Sequence, residues 1–481
     1  MAQRYKGLIS MGLNFKYNIK NMGNIENATI TIKPLTIIAG ENSSGKTFLT
    51  KSLYTILNSI YRDHFTDTLI NRYGLLHEQC SEYFNKLKST VQIDDRFQLD
   101  YTDYIPHIEE AIGELAKCTF PEQEDITDEH REMFDDFFDI IIEYFNNRKK
   151  LKKLSYLHDR ISSILETVEK LSYIIDNRND VVVDRITESL RTGFKKNYQI
   201  TNLQDLINKT KTPKREDSKK EKKEEEENEL SIDIENIGNI GINHKSNISF
   251  SFNNDGIQKV QDVKNIVFFD SPVYIKIRKA LEKTNSNLFR LMMKDEDKYL
   301  KGYPEYLEKL YNFIDKEYID IPDFDEVSQE IQRTISGKLD ITKSGDIHYK
   351  DERGNSIPLS LTAMGISNIG LIDLLLRNNV INHGSFLIMD EPEVHLHPIW
   401  QVALAKILYK IAKGGATIII ATHSLDFLKA FQVLLDEEPI GESIISVNKM
   451  PFDNNFAKLS EYEKIDTILD DLSRPYCDLF T

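Results

Sequence analysis

The octapeptide Gly40-Glu41-Asn42-Ser43-Ser44-Gly45-Lys46-Thr47 has the glycine, lysine and hydroxyl spacing of a phosphate-binding P-loop, and the apolar run Leu35-Thr36-Ile37-Ile38-Ala39 leads directly into it. Two glycines let the backbone curl so that its N–H groups point inward, and a helix that begins where the loop ends aims its positive end at the same spot. Asn42, Ser43, Ser44 and Gly45 then cradle phosphates, Lys46 reaches the β- and γ-phosphates, and the Thr47 hydroxyl ligates Mg²⁺. The implied ligands are ATP and Mg²⁺.

Two further segments carry chemistry. Ser385-Phe386-Leu387-Ile388-Met389 reads as an apolar strand ending in Asp390-Glu391-Pro392. Beside a P-loop strand, Asp390 would lie at the C-terminal sheet edge and hold the Mg²⁺ shell, with Glu391 just beyond it to orient the water that attacks the γ-phosphate. Thr417-Ile418-Ile419-Ile420-Ala421 ends in Thr422-His423-Ser424, and His423 there can touch the γ-phosphate and that water. An acidic pair after a strand can also be a helix cap, and a lone histidine is commonly structural; the upstream P-loop favours the catalytic reading. Glu393, His395 and His397 could suggest a metal site, but no fourth ligand accompanies them.

The elements that must position these groups are legible as patterns. Gly12 to Ala39 alternates as strands do, with a turn at Asn21-Met22-Gly23-Asn24. From about Leu53 to Tyr198 the period becomes helical, with stripes through Phe134, Phe137, Phe138, Ile141, Ile142 and Phe145 and through Leu154, Leu157, Ile161, Ile164, Leu165, Val168 and Leu171. Lys209 to Glu229 is a charge tract with no apolar anchor, expected to be a disordered tether. Strands are expected again at Asn247 to Phe252 and Asn265 to Phe269, a helical stretch over Ile275 to Phe313, and short strands over Gly337 to Tyr349. From Met364 onward helix, strand, helix and strand alternate as in a parallel sheet. The expected fold class is α/β, a P-loop sheet interrupted by a helical, short coiled-coil-like insertion: residues 1–58 and 246–481 form one ATPase head and 59–245 the insertion.

Composition narrows the class. Of 481 residues 40% are hydrophobic and 29% charged, and no apolar run approaches the roughly 18 residues that span a bilayer, so a cytoplasmic protein without a membrane partner is expected. Three cysteines stand outside any CxxC spacing, which argues against a disulfide framework or a structural zinc. A net charge of -16 weakens nonspecific DNA binding without removing DNA as a partner through a local basic channel.

The order of P-loop, acidic strand and histidine resembles the ABC-type ATPase fold, in the branch that includes Rad50, SMC proteins and the overcoming-lysogenization-defect (OLD) nucleases. Asp390-Glu391-Pro392-Glu393-Val394-His395-Leu396-His397-Pro398 and Thr422-His423-Ser424 are similar to the DEPExxLHP and THS patterns of OLD-like ATPases (AAA15 and AAA21 types). The resemblance implies two ATP molecules held between two heads, each touched by one subunit's P-loop and the other's signature helix. It also places the segment after Glu391 at the dimer-facing loop. The matching signature is Leu359-Ser360-Leu361-Thr362-Ala363-Met364-Gly365, which departs from LSGGQ. Ala363 takes the serine place, so a hydroxyl for the nucleotide would come from Ser360 or Thr362, beside Gly365, or be absent. A Q-loop glutamine is missing after Phe269, where Asp270-Ser271 stands. Both departures point to slow hydrolysis.

OLD nucleases continue into a Toprim domain, whose glutamate and DxD pair have no counterpart in 424–481. The chain is therefore expected to be an ATPase and not itself a nuclease. Similarity to the ATPase subunits of the PARIS and Septu antiphage systems implies a homo-oligomer of head dimers, up to a hexamer. It also implies a separate Toprim or HNH nuclease effector and a phage-encoded trigger. The alternative is a Rad50- or SMC-like ATP-dependent DNA-maintenance protein. Its long coiled coil does not fit the insertion, since even about 70 residues per arm reach only about 105 Å.

Overall fold

In the computed structural model, which describes residues 14–88, 128–208, 229–253, 263, 265–278, 303–315, 322–438 and 440–477, the alternating N-terminal segment forms a hairpin. Strands β1 (Phe15–Met22) and β2 (Ile25–Ile32) pair antiparallel about a turn at Gly23 (φ 54°), where a Cβ would sit 2.9 Å from the Phe48 ring. β1 also pairs with β4 (Leu230–Ile234), and β5 (Gly238–Ile242) and β6 (Ile248–Phe252) extend the sheet in the order β2-β1-β4-β5-β6.

β3 (Leu35–Gly40) leaves that hairpin for a second, wholly parallel sheet, ordered β13-β3-β12-β11-β7. Its other members are β7 (Ile266–Phe269), β11 (Phe386–Asp390), β12 (Thr417–Thr422) and β13 (Ile445–Met450). Every residue of β3, β11 and β12 is buried, as expected of parallel strands covered on both faces. The register sets Met450 opposite Gly40, Thr422 opposite Ala39 and Asp390 opposite Ala421, so the C-terminal ends share one edge. One expectation is corrected here: the acidic strand β11 does not lie beside β3, because β12 stands between them. β11 and β12 are successive strands joined by a single helix, and such strands tend to pair with each other.

Helix α1 (Lys46–Ile60) leaves the P-loop and packs across β3, β12, β11 and β7. The chain divides into two units, a head of the segments up to Ile60, Ser189 to Asn254 and Asp262 onward, and a helical unit from Tyr61 to Glu188. Strands β4 and β5 therefore belong to the head sheet, and the helical unit is shorter than the 59–245 span read from the sequence. Pairing across more than 200 residues, as in Ile19 with Ile232, draws them in.

The helical unit holds α2 (His64–Lys88), α3 (Asp128–Lys149) and α4 (His158–Asp176). α4 packs on both others, and the stripes of Phe134, Phe137, Phe145, Ile161, Ile164, Val168 and Leu171 are buried. The Tyr83 and Phe145 rings meet edge to face with centroids 5.0 Å apart. Helix α5 (Arg178–Tyr198) begins in this unit and ends in the head.

The head continues with α6 (Glu305–Asp315) and α7 (Asp325–Ile335). A three-stranded antiparallel sheet follows, of β8 (Gly337–Ile341), β9 (Ile347–Asp351) and β10 (Ser356–Pro358). Then come α8 (Met364–Arg377), α9 (Pro398–Lys413) between β11 and β12, α10 (Leu425–Glu437) and α11 (Glu461–Cys477). Of the charge tract, 209–228 lies outside the described residues, as does 279–302 of the expected helical stretch. Among the described residues no helix is long and apolar enough to cross a membrane.

Candidate nucleotide site

The loop after β3 curls because its glycines allow it. A Cβ at Gly40 would lie 2.1 Å from the Met450 carbonyl oxygen, and at Gly45 (φ 97°) 2.8 Å from Ile25 Cγ1. Ser43 takes a positive φ of 64° between them, and α1 starts at Lys46 with its N-terminus facing the loop. Asn42, Ser43 and Thr47 are exposed at the rim, while Ser44 Oγ is buried with no partner. Lys46 is buried, its Nζ donating to the Gly40 and Glu41 carbonyls at 2.8 Å each. Burial pulls its ammonium below the ordinary lysine value against the opposing pull of Glu391, Asp390 and Glu393.

Asp390 closes the next-but-one strand. It is buried, and the loss of water pushes its carboxyl up to about 6, an effect eased by a hydrogen bond with the Thr47 side chain and reinforced by Asp270 and Glu391. Its Oδ1 is buried without a partner. A glycine cradle, a buried lysine, an orphaned carboxylate oxygen and the hydroxyl that bonds its carboxyl are the donor set a Mg²⁺-bound triphosphate requires, and the residues fit it. Asp270, at the end of β7, takes the position where the glutamine is missing. It accepts from Tyr306 Oη at 3.1 Å and lies 4.0 Å from Lys51 Nζ. A carboxylate ending an apolar strand was the available signal for it.

Glu391 is held in the left-handed region at φ 49°, with its N–H donating to the Ala421 carbonyl at 2.8 Å. That conformation directs its Oε1 to His423 Nδ1 at 2.9 Å, and both side chains stay half-buried. Two residues 32 apart in sequence thus meet at the sheet edge. The following loop tightens through Val394 N–H to Glu391 carbonyl at 3.1 Å and Leu396 N–H to Glu393 carbonyl at 3.0 Å. Glu393 turns inward and is buried, whereas His395 and His397 are exposed, and His397 caps α9 by accepting from Ile399 N–H at 3.3 Å. These three do not converge, and among the described residues no cluster of metal ligands is present.

The signature residues sit elsewhere in the head. Ser360 is exposed, Thr362 is buried and spends its hydroxyl on the Pro358 carbonyl at 3.0 Å, and the Thr362 carbonyl accepts from Lys276. Gly365, at the start of α8, lies against the loop after Glu391: a Cβ there would meet Trp400 at 3.1 Å and Leu396 at 3.2 Å. Asn368 Nδ2 donates to the Pro392 carbonyl at 2.6 Å. Gly45, Lys46, Thr47, Asp390, Glu391 and His423 therefore gather at one edge, whereas of the expected signature residues Ser360 is exposed, Thr362 is buried and Gly365 is buried against the loop after Glu391.

The family model described as AAA ATPase domain (AAA_15) matches residues 15–428. No curated protein matches the chain. Solved structures similar to it include an SMC head bound to the C-terminal winged-helix domain of ScpA, at 10% identity, TM-score 0.38, covering 87% of this chain and 91% of that one. The SMC head domain from Thermotoga maritima matches at 10% identity and TM-score 0.34 over 87% and 91%. An SMC head with coiled coil and joint from Pyrococcus yayanosii matches at 10% identity and TM-score 0.31 over 96% and 99%. These distant likenesses add nothing to the family match.

Proposed function

Because the chain belongs to the AAA ATPase domain family, matched from residue 15 to 428, we propose that it binds ATP at the Gly40–Thr47 loop and hydrolyses it with Glu391 and His423. The observation that carries this reading is the contact of His423 Nδ1 with Glu391 Oε1 at 2.9 Å, on the sheet edge that also holds Lys46 and Asp390.

The loop N–H groups and Lys46 hold the phosphates, and Thr47 with Asp390 would hold Mg²⁺, which neutralises charge on the β- and γ-phosphate oxygens when bound. Glu391 accepts a hydrogen bond from the attacking water and orients it. His423 steadies that carboxylate through Nδ1, which leaves its Nε2 as the group that would meet the γ-phosphate. Asp270, in the place of the missing glutamine, adds negative charge beside Asp390 that a bound cation would offset.

The assembly reading follows from a neighbouring face. Leu361 is 77% exposed and Ile399 67%, and Gly365 packed on Leu396 and Trp400 joins their two segments. An exposed apolar surface beside Ser360 supports a second copy of the chain as its occupant, with ATP between the two heads. On the motif resemblance, the dimer is the unit of an antiphage ATPase that holds a separate nuclease, Toprim or HNH, and releases or activates it on phage sensing. Affinity purification of the full chain from its native cell during phage infection tests this. A nuclease bound in the ATP state supports the reading, whereas ATP hydrolysis stimulated by DNA with no nuclease bound overturns it in favour of DNA maintenance.

A further inference from the structure

Glu393 is 4% exposed, yet it is a carboxylate two residues beyond Glu391, in a loop that also carries Glu391 and His395 at positive φ. Non-glycine residues in that region persist only where their surroundings over-determine them. The surroundings here are a chain of side-chain bonds. Glu393 Oε1 accepts from the Thr422 hydroxyl, and Thr422 Oγ1 accepts from Ser424 N–H at 3.1 Å, which brackets His423. Ser424 Oγ donates to Gln401 Oε1 at 2.8 Å, and Gln401 Nε2 returns to the Leu396 carbonyl at 3.2 Å, closing the circuit on the loop that began it. Thr422 is fully buried, and Glu393 Oε2 is buried without a partner, so neither end of the clasp is shared with solvent.

We infer that Glu393 is a positioning residue, whose buried bond to Thr422 locks the loop after β11 to the turn after β12 and so fixes the Glu391–His423 pair. A solvated carboxylate would serve a surface loop as well, and the helix cap at this loop is made by His397, so capping does not account for Glu393. The bond joins the two strand exits that must stay in register for Glu391 Oε1 to meet His423 Nδ1. Because the same loop takes Asn368 and Gly365 of α8 on its other side, displacement there reaches the pair through Glu393.

The inference rests on the reading of Glu391 as the water-orienting group, so Glu391→Gln is measured in parallel. In steady-state ATP hydrolysis with nucleotide binding followed by calorimetry, Glu393→Ala is expected to lower kcat between about 10- and 100-fold with ATP affinity within about threefold of the parent. Glu393→Gln, whose amide oxygen still accepts from Thr422, restores kcat to within about threefold. Thr422→Val reproduces the loss and Thr422→Ser does not, and Glu393→Ala combined with Thr422→Val costs no more than either alone. Should Glu393→Ala fail to fold, the Thr422 pair carries the test. Equal kcat in Glu393→Ala and parent, or a loss in Glu393→Gln as large as in Glu393→Ala, overturns the inference while a slow Glu391→Gln leaves the reading of the site standing. A Glu391→Gln variant as fast as the parent removes that reading itself.

Discussion

The sheet edge and the signature face are built in opposite ways, although both belong to the head. At the edge, polar groups meet within the chain, Lys46 with two carbonyls, Glu391 with His423 and Glu393 with Thr422, while Ser44 Oγ and Asp390 Oδ1 stay buried without a partner. At the face, apolar groups are left outside, Leu361 and Ile399 most of all, and the buried hydroxyl of Thr362 is turned back to Pro358. Orphaned oxygens beside a buried lysine call for a ligand of complementary charge. A surface of exposed leucine and isoleucine gains about 25 cal/mol for each Å² of apolar area covered, and covering requires a partner. The proposed division, binding and water orientation within one chain and assembly between two, rests on this contrast.

The sharpest way to break the contrast is at the edge. Lys46→Ala removes a buried cation facing Asp390, Glu391 and Glu393, and ATP affinity by calorimetry should fall at least about 100-fold. Retained affinity would show that the loop is not the site. At the face, Leu361→Asp should weaken ATP-dependent self-association about tenfold or more while leaving ATP affinity of the single chain unaltered, as read by sedimentation at several protein concentrations. A matching loss of ATP affinity would mean the two regions are not separate.

The smallest effect sharpens the edge. Burial raises the Asp390 carboxyl from 3.8 to about 6, so the folded protein holds a proton that the unfolded chain has released. The nucleotide-free protein therefore loses stability as pH rises from about 4 through about 6, and above that it carries the full cost of a buried charge. Asp390→Asn removes that cost. Without nucleotide or Mg²⁺ at neutral pH its Tm should rise by about 2 to 4 °C, while the Mg²⁺ dependence of ATP binding is lost. A lower Tm would mean that the bond with Thr47 outweighs desolvation.

Much of the edge is legible in the sequence, because its signals are local. A P-loop after an apolar strand, an acidic pair after another and a histidine after a third each occupy a few consecutive residues. The strand order is less legible: β12 enters between β3 and β11, and only the register shows Asp390 reaching Thr47 across it. β4 and β5 read as part of the insertion because their partner β1 lies more than 200 residues upstream, and no local pattern encodes that pairing. Glu393 is visible in the motif, but its partner Thr422 comes from another strand, so its inward turn is a tertiary fact. Asp270 is legible as a carboxylate ending an apolar strand, but its partners Tyr306 and Lys51 come from distant segments.

In the proposed dimer ATP joins two edges through two apolar faces, and the Glu391→Gln chain, which should bind ATP without consuming it, is where that assembly is best measured. Size-exclusion chromatography with light scattering, with and without ATP and Mg²⁺, is the measurement. The expected result is the mass of at least two chains with ATP, a smaller species without it, and the loss of the larger species on adding Leu361→Asp. A mass that does not change when ATP is bound would contradict it.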